Sequence, residues 1–408
     1  MRLQDMPAPD VAHGTDIIEA LRRWEDRVLV LARGLHAAPE LAFEEHRSAD
    51  AICTLLESGG LTVERGIADL PTAFRAAAGT GDLVIALCVE YDALPGIGHA
   101  CGHNLIAGAS VGAALALAEV ADRLGITVQA IGTPAEEHGG GKSLMLERGA
   151  FEGVHAAMMA HPVQEGLSAN PAGTSAQAVG RYRATFRGKA AHAAAAPHAA
   201  VNAADAAVIA QVAVGLLRQQ IPDDHRIGLF VREAGHVTNI IPDTAIVEFE
   251  CRAFTMPEYD TLVTRVTRCF EGAALASGTD LELEETEPVY EPLIQDETLA
   301  AHWTTAMGGF GHDTAPSRGV SGGSTDMGNI SQVIPSLHPW MSIPGASVPI
   351  HTREFAAVAD TPGAYEAMFE AAAALALTAA AVAADPEDRR RLLASSRPSD
   401  PSPEESTS

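Results

Sequence analysis

The chain has 408 residues, 47% of them apolar, enough to bury a core and, at roughly 150 residues per domain, to fill two or three domains. This composition excludes collagen, disulfide knots and wholly disordered chains. With 53 acidic against 27 basic residues the net charge is −26, which disfavours nucleic acid and anionic membranes as partners and mildly favours cationic small substrates.

Residues 1–10 lack a basic stretch followed by an apolar core, so no secretory signal is expected. Helical periodicity follows over Asp16 to Arg33 and Glu44 to Ser58, then a continuous apolar run, Asp82 to Tyr91, predicts a buried strand. A small-residue helix (Leu105 to Leu124), a strand (Thr127 to Ile131), a helix (Lys142 to Arg148) and a strand (Ala156 to Ala160) come next. Strands alternating with helices predict a mainly parallel α/β sheet with its site at the carboxyl ends of the strands.

From about Pro171 the pattern becomes βαββαβ. A strand (Ala178 to Arg187), a helix (Val201 to Gln219), two strands (Gly228 to Ala234, Ala245 to Ala253), a helix (Glu258 to Ala276) and a strand (Asp280 to Glu287) form a ferredoxin-like insert. The first pattern resumes after Pro292, with a strand around Pro339 to Ile343 and a long helix from Pro362. The expected domains are 1–172 and 292–384 as two parts of one domain, 173–291 as the insert, and 385–408 as a disordered tail rich in Pro, Ser, Glu and Arg. The apolar run Ala371 to Ala384 is too short to span a bilayer and is expected to pack inside.

The five cysteines, Cys53, Cys88, Cys101, Cys251 and Cys269, are irregularly spaced, which argues against a disulfide framework and for a reducing, cytoplasmic setting. Polar clusters follow the predicted strand ends. In His99-Ala-Cys101-Gly-His103 the thiol and imidazole converge only in a tight loop, as a metal pair; the alternative is a helix N-terminal turn with one buried cysteine and a solvated histidine. In Pro134-Ala-Glu136-Glu137, one carboxylate can bind metal while the other shuttles protons; the alternative is two acids opening a helix. His161 and His351 stand at equivalent positions. With Cys101, His103 and Glu137 they make five candidate ligands, enough for two metals sharing one bridging group, with Glu136 taking the proton of a bridging water and passing it to the leaving amine. A thiol hydrolase built on Cys101 with His99 or His103 leaves Glu136, Glu137, His161 and His351 without a role. Gly139-Gly-Gly141-Lys142-Ser143 lacks the spacing of a phosphate-binding loop.

Glu90-Tyr-Asp92-Ala-Leu-Pro95, His99-Ala-Cys101-Gly-His103-Asn104, Pro134-Ala-Glu136-Glu137 and Gly188-Lys-Ala-Ala-His192 resemble the dinuclear-metal aminoacylase and carboxypeptidase family, in its amidohydrolase branch. Gly323-Ser-Thr-Asp326-Met-Gly-Asn-Ile-Ser331 and Leu337-His-Pro are similar to the subgroup of β-alanyl-lysine (Xaa-Arg) dipeptidases and p-aminobenzoyl-glutamate hydrolases, where the commoner branch carries Ser-Glu-Asp-Phe.

The resemblance implies a zinc-exopeptidase-like α/β fold whose insert serves as lid and dimerisation domain. It implies that Cys101 bridges two divalent ions, with His103 and His161 on one, Glu137 and His351 on the other, Glu136 as general base and Asp92 orienting a ligand. His192 would stabilise the oxyanion in a partner subunit's site, while Asn239 and Arg252 would contact the substrate carboxylate. A thiolate bridge favours zinc, with manganese or cobalt as alternatives. The expected activity is hydrolysis of the amide bond of a dipeptide, with a basic C-terminal residue favoured, by a cytoplasmic homodimer. N-acyl amino acids or p-aminobenzoyl-glutamate are the alternative substrates. A noncatalytic metal- or ligand-binding paralogue is the alternative of another class, although every ligand and the base are present.

Overall fold

The computed structural model describes residues 3–7, 9–316, 319–321 and 323–395. The chain forms two compact units: Met1–Ser175 with Ile294–Gly319 and Asn329–Ser408, and Ala176–Leu293 with Val320–Gly328. Residues 320–328, expected with the returning first domain, thus belong to the second unit.

The first unit is built on a six-stranded sheet in the order Thr62–Arg65, Phe74–Ala78, Ile126–Gly132, Leu83–Val89, Ala156–Met158, Ser336–Leu337. The last four are mutually parallel and the first two are an antiparallel edge. Leu83–Val89 lies inside the sheet and is buried along nearly its whole length, which is why its sequence is apolar at every position rather than alternating. The edge pair was not expected: Thr62–Arg65 is polar and largely exposed, so its sequence carries no strand period.

Three helices, Gly14–Ala37, His103–Ala118 and Pro362–Ala384, pack together beside the sheet. Small residues let them approach: a Cβ on Gly108 would stand 2.2 Å from Met368 Sδ, and one on Gly112 3.4 Å from Ala372 Cβ. Pro362–Ala384 runs 23 residues, long and apolar enough to cross a membrane by length alone, but 89% of its most apolar window is buried against its neighbours. Helix Glu297–Gly309, which the sequence reading passed over, starts at Asp296, whose side chain accepts from Leu299 N.

The expectation of a disordered tail from residue 385 is corrected for Pro386–Ser395, which form a helix. Leu392 is fully buried, Arg389 donates to the Gly125 carbonyl at 2.7 Å, and Arg391 grips Asp296 at 2.7 and 2.9 Å. Charge-rich sequence hid one apolar anchor and two specific arginine contacts. Residues 396–408 lie outside the described residues.

The second unit carries a four-stranded antiparallel sheet in the order Arg226–Glu233, Thr244–Ala253, Ala178–Arg187, Asp280–Glu285, with helices Ala203–Leu217 and Met256–Ser277. This is the βαββαβ order with ferredoxin-like strand arrangement. Its own core includes Phe186, Phe249 and Phe270, stacked at 4.5 and 6.2 Å.

Candidate metal centre

Parallel strands deliver their carboxyl ends to one edge of a sheet. Val89 pairs beside Gly132, and Leu87 beside Met158, so the segments that follow, Glu90 to Asp92, Thr133 to Glu137 and His161, emerge together. The strand bearing His161 stops earlier than expected, at Met158. His161 opens a separate short strand, His161–Val163, beside Trp340–Ser342.

Cys101 and His103 flank Gly102, which has φ +77° and precedes helix His103–Ala118; a Cβ there would lie 2.5 Å from Pro162 Cγ. The tripeptide is a helix start, but its histidine is fully buried rather than solvated, and the turn brings the thiol and the imidazole toward one point. Ala135 and His351 adopt left-handed backbone conformations, φ 62° and 64°. His351 is held there by its amide, which donates to Ala100 O at 2.8 Å, and Ala135 by its amide, which donates to Glu45 Oε1 at 2.9 Å. Such strained non-glycine residues persist where the surrounding structure fixes them, and here they flank functional side chains.

The five expected ligands converge in two groups sharing Cys101. Ligand atoms of Cys101, His103 and His161 lie within 4.8 Å of one another, as do those of Cys101, Glu137 and His351. Cys101 Sγ is 3.3 Å from His161 Nε2 and 3.3 Å from His351 Nε2, and Glu137 Oε2 is 3.5 Å from His351 Nε2. The outer nitrogens are committed elsewhere: His161 Nδ1 bonds Pro162 O at 2.8 Å and His103 Nδ1 bonds Asp92 Oδ1 at 2.9 Å. That arrangement turns both Nε2 atoms toward the cluster. Asp92 also accepts from Glu137 N at 3.0 Å, so one buried carboxylate orients two ligand segments. Among the described residues, His103 Nε2 and Glu137 Oε1 are buried without a hydrogen-bond partner, which suits atoms awaiting a cation.

Burial, followed by the charge of Glu137, pushes the Cys101 thiol well above its ordinary range. The thiol is buried and common to both ligand groups, and a thiol hydrolase still leaves Glu136, Glu137, His161 and His351 without a role. Burial and the neighbouring His338 and His103 hold His161 well below the ordinary imidazole value, neutral and able to ligate. Burial also works against charge on His103, but the charge and hydrogen bond of Asp92 outweigh it and raise that imidazole. Glu136, 7% exposed, stands with its carboxylate 3.9 Å from His103 Nε2.

His192, Asn239 and Arg252 belong to the second unit. His192 is exposed and pairs with Ile240 in a two-stranded ribbon; its Nδ1 accepts from Ala194 N and Ala195 N, and Ala193 N donates to Asn239 O, so His192 and Asn239 are neighbours there. Arg252 is held by Glu250 at 2.9 Å and Ser324 at 3.2 Å.

The sequence reading gave no role to Glu90, Lys142 or His338. All three are buried beside the cluster, and Glu90 pairs with Lys142. A lysine after three glycines gave no sign of burial, and His338 only the signal of a histidine one residue past a strand.

A parallel α/β sheet that gathers thiolate, imidazole and carboxylate ligands at its carboxyl edge, with a spare glutamate beside them, has the architecture of a metallohydrolase. Residues 86–377 match the peptidase family M20/M25/M40, and the chain belongs to that family. It is 38% identical to the Xaa-Arg dipeptidase of Mus musculus over 88% of this chain and 86% of that one, and 34% identical to a p-aminobenzoyl-glutamate hydrolase chain of Escherichia coli K12 over 72% and 64%. A dinuclear metal binding M20 peptidase of Bacillus subtilis superposes with a TM-score of 0.62 at 25% identity, covering 87% of this chain and 99% of that one.

Proposed function

We propose that this protein is a metal-dependent dipeptidase that cleaves the amide bond before a basic C-terminal residue. The observation that carries the proposal is the pair of ligand groups sharing Cys101, with Glu136 beside them. Cys101, His103 and His161 would hold one divalent ion and Cys101, Glu137 and His351 a second, zinc being favoured by the thiolate. Bound there, the ions would supply Lewis acidity to the scissile carbonyl and acidify water between them. Glu136 takes the proton of the attacking water and returns it to the leaving amine. Asp92 keeps His103 and the Glu137 segment in place.

In the second unit, Arg252 lines a cavity of about 730 Å³ together with Asp223, Asp224, Arg226 and Glu250, the last of which is paired with it. Arg252 is the cation for the terminal carboxylate, and the preference for a basic C-terminal residue follows the Xaa-Arg dipeptidase relatives. Asn239 is the second carboxylate contact. His192 donates to the oxyanion from a partner subunit of a dimer formed through helix Ala203–Leu217, where Val208, Val212 and Leu216 are 58%, 58% and 68% exposed at i, i+4 and i+8.

The test is a panel of dipeptides, N-acyl amino acids and p-aminobenzoyl-glutamate with protein reconstituted in Zn²⁺, Mn²⁺ or Co²⁺. Preferential cleavage of dipeptides ending in Arg or Lys is expected. A preference for acyl-glutamates would transfer the assignment to the second relative's chemistry, and no hydrolysis at all would end it.

A further inference from the structure

The link between helices Gly14–Ala37 and His46–Ser58, residues 38–45, supplies no candidate ligand, yet it touches the two loops that carry Asp92 and the Glu136-Glu137 pair. Glu40 O accepts from Ala93 N at 2.8 Å, one residue past Asp92. The Phe43 ring lies against Gly139, two residues past Glu137, so closely that a Cβ there would stand 2.4 Å from Phe43 Cε2. Glu45, fully buried, accepts from Ala135 N through Oε1 at 2.9 Å, one residue before Glu136.

The link is fixed from its own side. The Glu40 carboxylate accepts from Ser48 N and Ser48 Oγ, both at 2.7 Å, and from Arg47 Nε at 2.9 Å, which ties it to the first turn of helix His46–Ser58. Glu45 immediately precedes that helix, whose Ile52 and Leu56 are fully buried. Its carboxyl thus reaches the Ala135 amide from an anchored backbone, which an orienting group requires.

Ala135 needs the tie. Its φ of 62° is left-handed, a conformation that a Cβ disfavours, and the residue is fully buried, so its amide depends on a protein acceptor. Without the Glu45 oxygen the strained turn is no longer held and a buried donor is left unsatisfied, so the turn relaxes. The next residue along the chain is Glu136, whose side chain turns with it. Glu137 depends less on Ala135, because its own amide donates to Asp92 Oδ2 at 3.0 Å, and Cys101, His103, His161 and His351 lie on other segments. Loss of Glu45 therefore moves the base and spares the ligands.

We infer that Glu45 is a positioning residue for the general base: by accepting from the Ala135 amide it holds that residue in its left-handed turn and so sets where the Glu136 carboxylate stands. The inference rests on Glu136 as the base in the reading above.

The test is steady-state hydrolysis of alanyl-arginine by zinc-loaded full-length protein, with zinc counted by elemental analysis and folding followed by circular dichroism. Glu45→Leu has a similar volume and no acceptor. Its kcat should fall about 10- to 100-fold, the cost of a base displaced by about an ångström, while KM and zinc content stay at wild-type values. Glu45→Gln, which keeps an oxygen at the same reach, should recover most of that loss. A wild-type kcat in Glu45→Leu overturns the inference, as does an equal loss in Glu45→Gln, or a loss of zinc in parallel with kcat, which marks a general support of the centre. Should Glu45→Leu fail to fold, Glu45→Asp decides. It keeps the carboxyl but draws it one methylene back from the amide, so kcat should fall with zinc retained, and an unchanged kcat refutes the role. If zinc-loaded wild type leaves alanyl-arginine intact, or Glu136→Gln is as active as wild type, the reading of reaction and base fails first, and the inference with it.

Discussion

Each imidazole of the cluster is aimed by what its outer nitrogen touches, and the two cases differ. His161 is fixed by a backbone carbonyl, which no substitution removes, but His103 depends on the Asp92 side chain. Asp92→Asn keeps the shape and weakens the acceptor. It should lower zinc affinity about 10- to 100-fold in chelator competition, and an unchanged affinity would show that Asp92 does not tune the site. Glu136→Gln separates chemistry from binding: kcat should fall by about 10² to 10⁴ while metal content by elemental analysis stays at the wild-type value. At this scale the sequence was most informative where a residue type is chemically unusual for its place. Cys101, His103 and the Glu136-Glu137 pair stood out because thiolate, imidazole and paired carboxylates after strand ends have few structural uses. Glu90 and Lys142 were hidden because burial, which makes them notable, is a tertiary property with no local pattern.

At the scale of elements, unbroken apolar runs revealed what is buried on nearly every side. Leu83–Val89 and Pro362–Ala384 were legible for that reason. The exposed edge strand Thr62–Arg65 and the helix Pro386–Ser395, anchored by one leucine, were not, since few of their side chains face a core. Helix Ala203–Leu217 shows the opposite case: its sequence is apolar on more than one face, and the structure leaves Val208, Val212 and Leu216 exposed while Ala206, Ala210 and Val214 are buried. If that outer stripe is the dimer contact, Val212→Asp should convert a dimer into a monomer in sedimentation velocity. Because His192 is assigned to a partner's site, kcat should drop with it by about 10². A dimer that survives the substitution refutes the stripe, and a fully active monomer refutes action across the dimer.

The molecule as a whole folds with a net charge of −26 and still buries carboxylates, so its stability must respond to pH through those that lose hydration without gaining a cation. Glu45 is such a group. Burial and then the charge of Asp92 lift its carboxyl from 4.5 to about 7, while its Oε1 accepts from the Ala135 amide. Its folded-state pKa lies above the unfolded value, so the folded chain holds this proton more tightly. The resulting stability is present in full below about 4.5 and is lost as pH rises through 7. At 1.36 kcal/mol per pH unit the loss is of order 3 kcal/mol. Glu45→Gln keeps the acceptor and removes the titration, and self-repulsion and every other group are shared by the two proteins. In urea unfolding of metal-free protein, the stability of wild type relative to Glu45→Gln should therefore fall by a few kcal/mol between pH 5 and pH 8. Parallel pH profiles for the two would mean that Glu45 is charged, or neutral, in folded and unfolded chains alike.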